Sequence, residues 1–174
     1  MRNRLRAILA TVLAFAISAC SHQQPLQTVA HVDIERFMGD WYVIANIPTA
    51  IEVGAHNAVE SYRLDDDGTI ATTFTFRDGG YDGERKTYQP RGFIRDDSNA
   101  VWGMQFIWPI KADYRIIYLD EAYTVTVIGR NKLDYVWIMA REPKIPVQEY
   151  AGILDMLESV GYDTGEIEMV PQRW

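Results

Sequence analysis

The chain has 174 residues, 48% hydrophobic and 24% charged, which suits one globular domain with a real core and excludes a disordered or fibrous polymer. Its single cysteine excludes an intrachain disulfide. The formal net charge of −7 argues against nucleic acid or an anionic surface as partner, because both demand basic patches.

The first residues read as a targeting segment. Arg2, Arg4 and Arg6 form a basic start, and Ala7 to Ile17 is apolar apart from Thr11. That run is shorter than the roughly 20 residues a spanning helix needs and fits the apolar region of a secretory signal. Ile17-Ser18-Ala19-Cys20 then resembles the lipobox of bacterial lipoproteins, with the chain's cysteine at the lipidated position. The alternative is an ordinary secretory signal with a chance cysteine. The lipobox reading makes residues 1–19 a cleaved signal peptide and gives Cys20 acyl groups such as palmitate. It also removes three arginines, so the net charge falls from −7 to −10. A chain that acidic needs a lipid anchor rather than a basic patch to hold a membrane. Ser21, in place of Asp, resembles lipoproteins sorted to the outer membrane. Residues 20–30 are polar and aperiodic and read as a flexible lipidated tether, leaving 31–174 as the folded domain. His22 and His31 flank the tether with no acid or cysteine cluster nearby, so no metal site is expected.

The folded part opens with a helical turn over Ile34–Met38, stopped by Gly39. The strand Gly39–Ala45 follows, with Trp41, Val43 and Ala45 on one face. The next strands are Asn57–Leu64, turning at Asp65-Asp66-Asp67-Gly68, and Thr69–Arg77. In the first of these, Ala58, Glu60, Tyr62 and Leu64 share a side; in the second, Ile70, Thr72, Phe74 and Phe76 do. Lys86–Arg95 is interrupted by Pro90, which suits an edge or a bulge. Ala100–Trp108 alternates with Trp102, Met104, Phe106 and Trp108 together. Pro109–Asp113 reads as a loop, and Tyr114–Leu119 puts Tyr114, Ile116 and Tyr118 on one face. Tyr123–Gly129 and Leu133–Arg141 complete eight strands. Short antiparallel strands at this spacing fit a sandwich or an up-and-down barrel. A barrel of about eight strands is either filled by its own side chains or holds one small ligand. Val147, Tyr150, Ala151, Leu154, Leu157 and Gly161 then recur at helical spacing, so one helix packs outside, on a floor of Val136, Ile138 and Ala140. Ile167–Val170 could add a ninth strand.

Gly39-Asp40-Trp41 matches the Gly-x-Trp signature of the lipocalin family. Leu119-Asp120-Glu121-Ala122-Tyr123 resembles its Thr-Asp-Tyr region, without the Thr and with Tyr123 displaced. Tyr135-Val136-Trp137-Ile138-Met139-Ala140-Arg141 resembles its third motif. The resemblance spans residues 31–170 and, with the lipobox, points to the bacterial outer-membrane branch of the family. It implies an all-β fold: an eight-stranded up-and-down antiparallel barrel with one C-terminal helix packed outside. Gly39, Trp41, Asp120, Tyr123 and Arg141 become the structural signature, Arg141 capping Trp41 by a cation–π contact at the closed end.

A lipocalin of this kind is expected to bind a fatty acid, lysophospholipid or similar lipid. It would store or move such lipid at the outer membrane under envelope stress. Phe74, Phe76, Trp102, Met104, Phe106, Tyr114, Ile116, Tyr118, Tyr135 and Trp137 are the candidate cavity lining. Arg85, Lys86 and Lys111 are candidates for an anionic head group, with ordinary surface solvation as the alternative. Glu60 on an inward face sits oddly with an anionic ligand. No catalytic residues, cofactor, metal or nucleic acid are expected; a homodimer stays open. Two other classes remain: an enzyme acting on a small hydrophobic substrate, or a structural or adaptor lipoprotein whose barrel is full.

Overall fold

A computed structural model describes residues 25–174; the expected signal peptide, residues 1–19, and the expected lipidation site Cys20 lie outside the described residues. A short helix α1 (Ile34–Phe37) leads into β1 (Gly39–Asn46), β2 (Ala55–Leu64) and β3 (Thr69–Asp78). Then come β4 (Arg85–Tyr88), β5 (Arg91–Ile94), β6 (Val101–Ile107) and β7 (Ile110–Leu119). The chain finishes with β8 (Val125–Gly129), β9 (Trp137–Ala140), α2 (Val147–Ser159), a 3-10 turn (Thr164–Glu166) and β10 (Glu168–Met169).

The strands form one antiparallel meander, and β9 pairs back onto β1, with Tyr42 opposite Ala140 and Asn46 opposite Trp137. Closure removes the free edges that an open sheet would expose. β4 and β5 both pair with β3 and act as one strand broken at Pro90, whose missing N–H cannot continue the ladder. The barrel therefore has eight strand positions. β10 pairs with Ala45 and Asn46 of β1, beyond the reach of β2.

The fold has two apolar layers. The inner one fills the base of the barrel with Phe37, Trp41, Tyr62, Ile70, Trp102 and Ile116 among others. The outer one lies between the barrel wall and α2 and joins Ile44, Val127, Val136 and Ile138 to Ile153 and Leu157. The expected floor of Val136, Ile138 and Ala140 is part of it.

Several expectations need correcting. The stripe of α2 runs through Tyr150, Ile153, Leu154 and Leu157, while Val147 and Ala151 face outward. A bulge between Val43 and Ala45 turns Ala45 away from Trp41 and onto the helix side. Residues 110–113 are strand rather than loop, so β6 and β7 meet in a tight hairpin at Trp108-Pro109. The last barrel strand is only Trp137–Ala140, because residues 131–134 form a turn in which Leu133 adopts φ 55°. Part of the expected tether is docked. The Leu26 N–H donates to Asn131 Oδ1 at 2.8 Å and the Val29 N–H to the Ile116 carbonyl at 3.0 Å.

Candidate functional site: an apolar cavity above a sealed base

The base is closed by residues that three distant segments supply. The Trp41 ring is fully buried, and its Nε1 donates to the Phe37 carbonyl at 2.9 Å. The Arg141 guanidinium lies 3.8 Å from the Trp41 ring centroid. Its nitrogens donate to the carbonyls of Asp40 (2.8 Å), Arg36 (2.9 Å), Phe37 (3.1 Å) and Met38 (2.8 Å), answering acceptors that the end of α1 leaves open. Gly39 has φ 95°, and a Cβ there would sit 3.3 Å from Arg141 Nη1, so glycine serves both the turn and the close approach. Asp120 accepts from the Thr124 and Val125 N–H groups at 2.6 and 2.7 Å and sets the turn before β8. The Tyr123 hydroxyl accepts from the Asp33 N–H at 2.8 Å, and Arg36 stacks 3.9 Å over its ring. Gly39, Trp41 and Arg141 thus meet directly at the base, the Arg141 Nε–H donates to the Tyr123 carbonyl at 3.4 Å, and Asp120 shapes the turn that carries Tyr123.

Above this base the barrel holds a cavity of about 550 Å³ that opens at the other end. This lies within the roughly 300–1,000 Å³ typical of small-molecule sites. Of the ten candidate lining residues, Phe74, Met104, Phe106, Tyr114, Tyr135 and Trp137 border it. Phe76, Trp102 and Ile116 are instead buried among side chains. Trp102 stacks on Tyr114 with centroids 4.9 Å apart, thickening the floor, and Phe76 stacks against Tyr88 at 6.2 Å. Tyr118 is a correction: a bulge between Ile116 and Tyr118 turns it out of the barrel and into the layer beneath α2. Phe106 is a partial one. A register shift after Met104 leaves it at the rim, half exposed.

The polar groups are few and differ from those expected. Arg85, Lys86 and Lys111 do not border the cavity; Lys86 pairs with Glu84 at 2.7 Å and Lys111 covers the Phe93 ring. The one cation lining the cavity, among the described residues, is Arg130. It continues the inward phase of Ile128, two positions on. Its Nε is 3.5 Å from Asp134 Oδ1, and both atoms are buried with no hydrogen bond made. Glu52, in the loop between β1 and β2, is also buried. It accepts from the Thr49 N–H at 2.9 Å and from Trp137 Nε1 at 2.7 Å, fastening that loop across the mouth. Sequence reasoning missed both residues. Arg130 was cut off by ending the strand at Gly129, whereas two-residue alternation carried one step further finds it. Glu52 has no local signal.

Glu60 does point inward, as the alternation of β2 requires. Burial, with the negative charge of Glu52 second, raises its pKa from 4.5 to about 8, and the neighbouring Tyr62 hydroxyl partly offsets this. The Tyr62 and Tyr114 hydroxyls are 2.8 Å apart, and burial lifts both phenols well above their ordinary range. The rim, by contrast, is greasy: Ile107, Trp108 and Ile110 at the hairpin tip are 72%, 83% and 69% exposed.

Residues 32–172 match the family described as Lipocalin-like domain. The chain is 29% identical to "Outer membrane lipoprotein Blc" of Citrobacter freundii over 97% of both chains. It is 25% identical to "Apolipoprotein D" of Bos taurus, covering 91% of this chain and 85% of the other. Among solved structures, lobster apocrustacyanin A1 superposes with a TM-score of 0.65 at 13% identity, over 82% of this chain and 81% of that one.

Proposed function

The chain belongs to the lipocalin-like domain family, and from that premise we propose that it is an outer-membrane lipoprotein binding one single-chain lipid in its barrel. The ligand class is a fatty acid or lysophospholipid, and the role is storage or transport of such lipid in an envelope under stress. The observation that carries the reading is the 550 Å³ apolar cavity with a single cation, Arg130, on its lining. Burying about sixteen methylenes at about 0.8 kcal/mol each gives roughly 13 kcal/mol gross, from which the costs of ordering are subtracted. A carboxylate or phosphate head suits the Arg130 guanidinium, which borders the cavity while its Nε faces Asp134 at 3.5 Å.

In this reading residues 1–19 are removed and Cys20 carries the lipid that holds the protein to the outer membrane of a Gram-negative cell. The names of relatives such as the Citrobacter freundii protein support that placement.

Native mass spectrometry of the mature chain carrying Cys20→Ser, purified from the periplasm, tests the binding. The expected result is one exchangeable lipid per barrel, removed by extraction and restored by added fatty acid. Arg130→Gln should weaken an anionic ligand about tenfold and leave a fatty alcohol nearly unaffected. A barrel that takes up no lipid at saturating concentration rules the reading out.

A further inference from the structure

One carboxyl oxygen in the cavity is left without a hydrogen bond by the protein around it. Glu60 faces inward from β2 on the same side as Tyr62, and its Oε2 is buried with no hydrogen-bond partner among the described residues. Buried polar atoms in folded proteins are nearly always paired, so a lone one invites a ligand atom. A turn about the terminal bond of the side chain, which is torsionally soft, can present either oxygen to the cavity.

The surroundings narrow the chemistry of that atom. The Tyr62 and Tyr114 hydroxyls form a pair at 2.8 Å beside Glu60, and the Thr72 hydroxyl is directed at Met104 Sδ, 3.8 Å away. The other walls here are Phe74 and Met104. A ligand carboxylate would meet two acidic side chains, Glu52 and Glu60. An ammonium would have to leave water for walls of Phe74 and Met104, which costs far more than burying a neutral group. Bare methylenes would leave the carboxyl unpaired. A hydroxyl fits, because a protonated carboxyl and two phenols can each donate to it and accept from it.

We propose that this part of the cavity is a subsite for an uncharged hydroxyl carried on the ligand's alkyl chain, held by the Glu60 carboxyl with the Tyr62–Tyr114 pair beside it. The inference rests on the lipid-binding reading above and narrows its ligand to hydroxylated acyl chains. The head group remains at Arg130, so the position of the hydroxyl along the chain sets whether it reaches Glu60.

The test is displacement of a fluorescent fatty acid from the mature protein by palmitic acid and by hydroxypalmitic acids with the hydroxyl moved stepwise along the chain. One position is expected to bind at least about tenfold tighter than palmitic acid, since a site built to bond a hydroxyl discriminates against the analogue lacking it. Glu60→Gln retains much of that preference, because an amide also donates and accepts. Glu60→Leu abolishes it and binds palmitic acid more tightly than the wild type; Glu60→Met replaces it if the Leu variant does not fold. Equal affinity for all isomers, with palmitic acid still bound, overturns the subsite and leaves the lipid-binding reading standing. A preference that survives in the apolar variant also overturns it. Failure of every acid to displace the fluorophore removes the lipid-binding reading and the subsite with it.

Discussion

At the scale of single residues, Arg141 does two jobs with one planar group. It covers the Trp41 ring at 3.8 Å and answers carbonyls at the end of α1. Hydrogen bonds from a charged donor contribute about 1.5–3 kcal/mol and a cation–π contact about 0.5–2. Arg141→Ala should therefore cost about 3 kcal/mol in urea unfolding. Arg141→Lys should recover only a minor part, because an ammonium cannot fork across several carbonyls. Glu60 supplies a pH dependence of the opposite sense to the usual carboxylate. Its pKa rises from 4.5 to about 8 in the fold, so the folded state keeps a proton that the unfolded chain releases. Stability should fall as pH climbs from about 4.5 and level off above about 8. Glu60→Gln removes that slope, so its melting temperature should gain on the wild type between pH 5 and 9; parallel curves would refute the assignment. Both residues were legible in the sequence. Arg141 came from a motif, and Glu60 from strict alternation along a strand that the structure leaves regular around it.

Elements were legible where local pattern decides them and obscure where pairing does. Glycine and acidic turns located the hairpin at Asp65–Gly68, whose backbone bond from the Gly68 N–H to the Asp65 carbonyl is 2.9 Å. Alternation failed at bulges. Tyr118 has every local mark of an inward residue, yet one extra residue in β7 reverses its side. A bulge depends on how β7 registers with β8, and a single strand's sequence carries no record of its neighbour's register. The stripe of α2 was misplaced by about one position for a related reason, since several apolar rows were available and only the sheet beneath selects among them. Leu157 is at the centre of that contact and is fully buried. Leu157→Ala should destabilise the fold by about 2–5 kcal/mol, read as a lower denaturation midpoint, while Val147→Ala, at a 76% exposed site, should change it by less than about 0.5.

For the whole molecule, the barrel's polarity matters more than its outline. The base is sealed and polar at its outer face, while the mouth ends in an apolar hairpin with Trp108 at its tip. Exposed aromatics of this kind favour the boundary between water and acyl chains. Trp108→Ser should slow transfer of a fluorescent fatty acid from phospholipid vesicles about tenfold while leaving its equilibrium affinity unchanged, as stopped-flow and titration would show. The eight-strand closure was legible from strand count and signature residues together. The size of the hollow was not, because whether aromatic side chains fill a barrel or line it depends on rotamers and register.

The docked leading segment limits where the proposed anchor at Cys20 could lie. Leu26 is tied to Asn131, in the turn beside the mouth, and Cys20 lies only six positions before it. Fully extended, that stretch reaches about 20 Å. If Cys20 is acylated as proposed, the opening is leashed to the bilayer at a short radius, and a lipid leaving one for the other would travel at high effective concentration rather than through bulk water. Inserting a long Gly-Ser spacer after Cys20 would then dilute that encounter without touching the barrel.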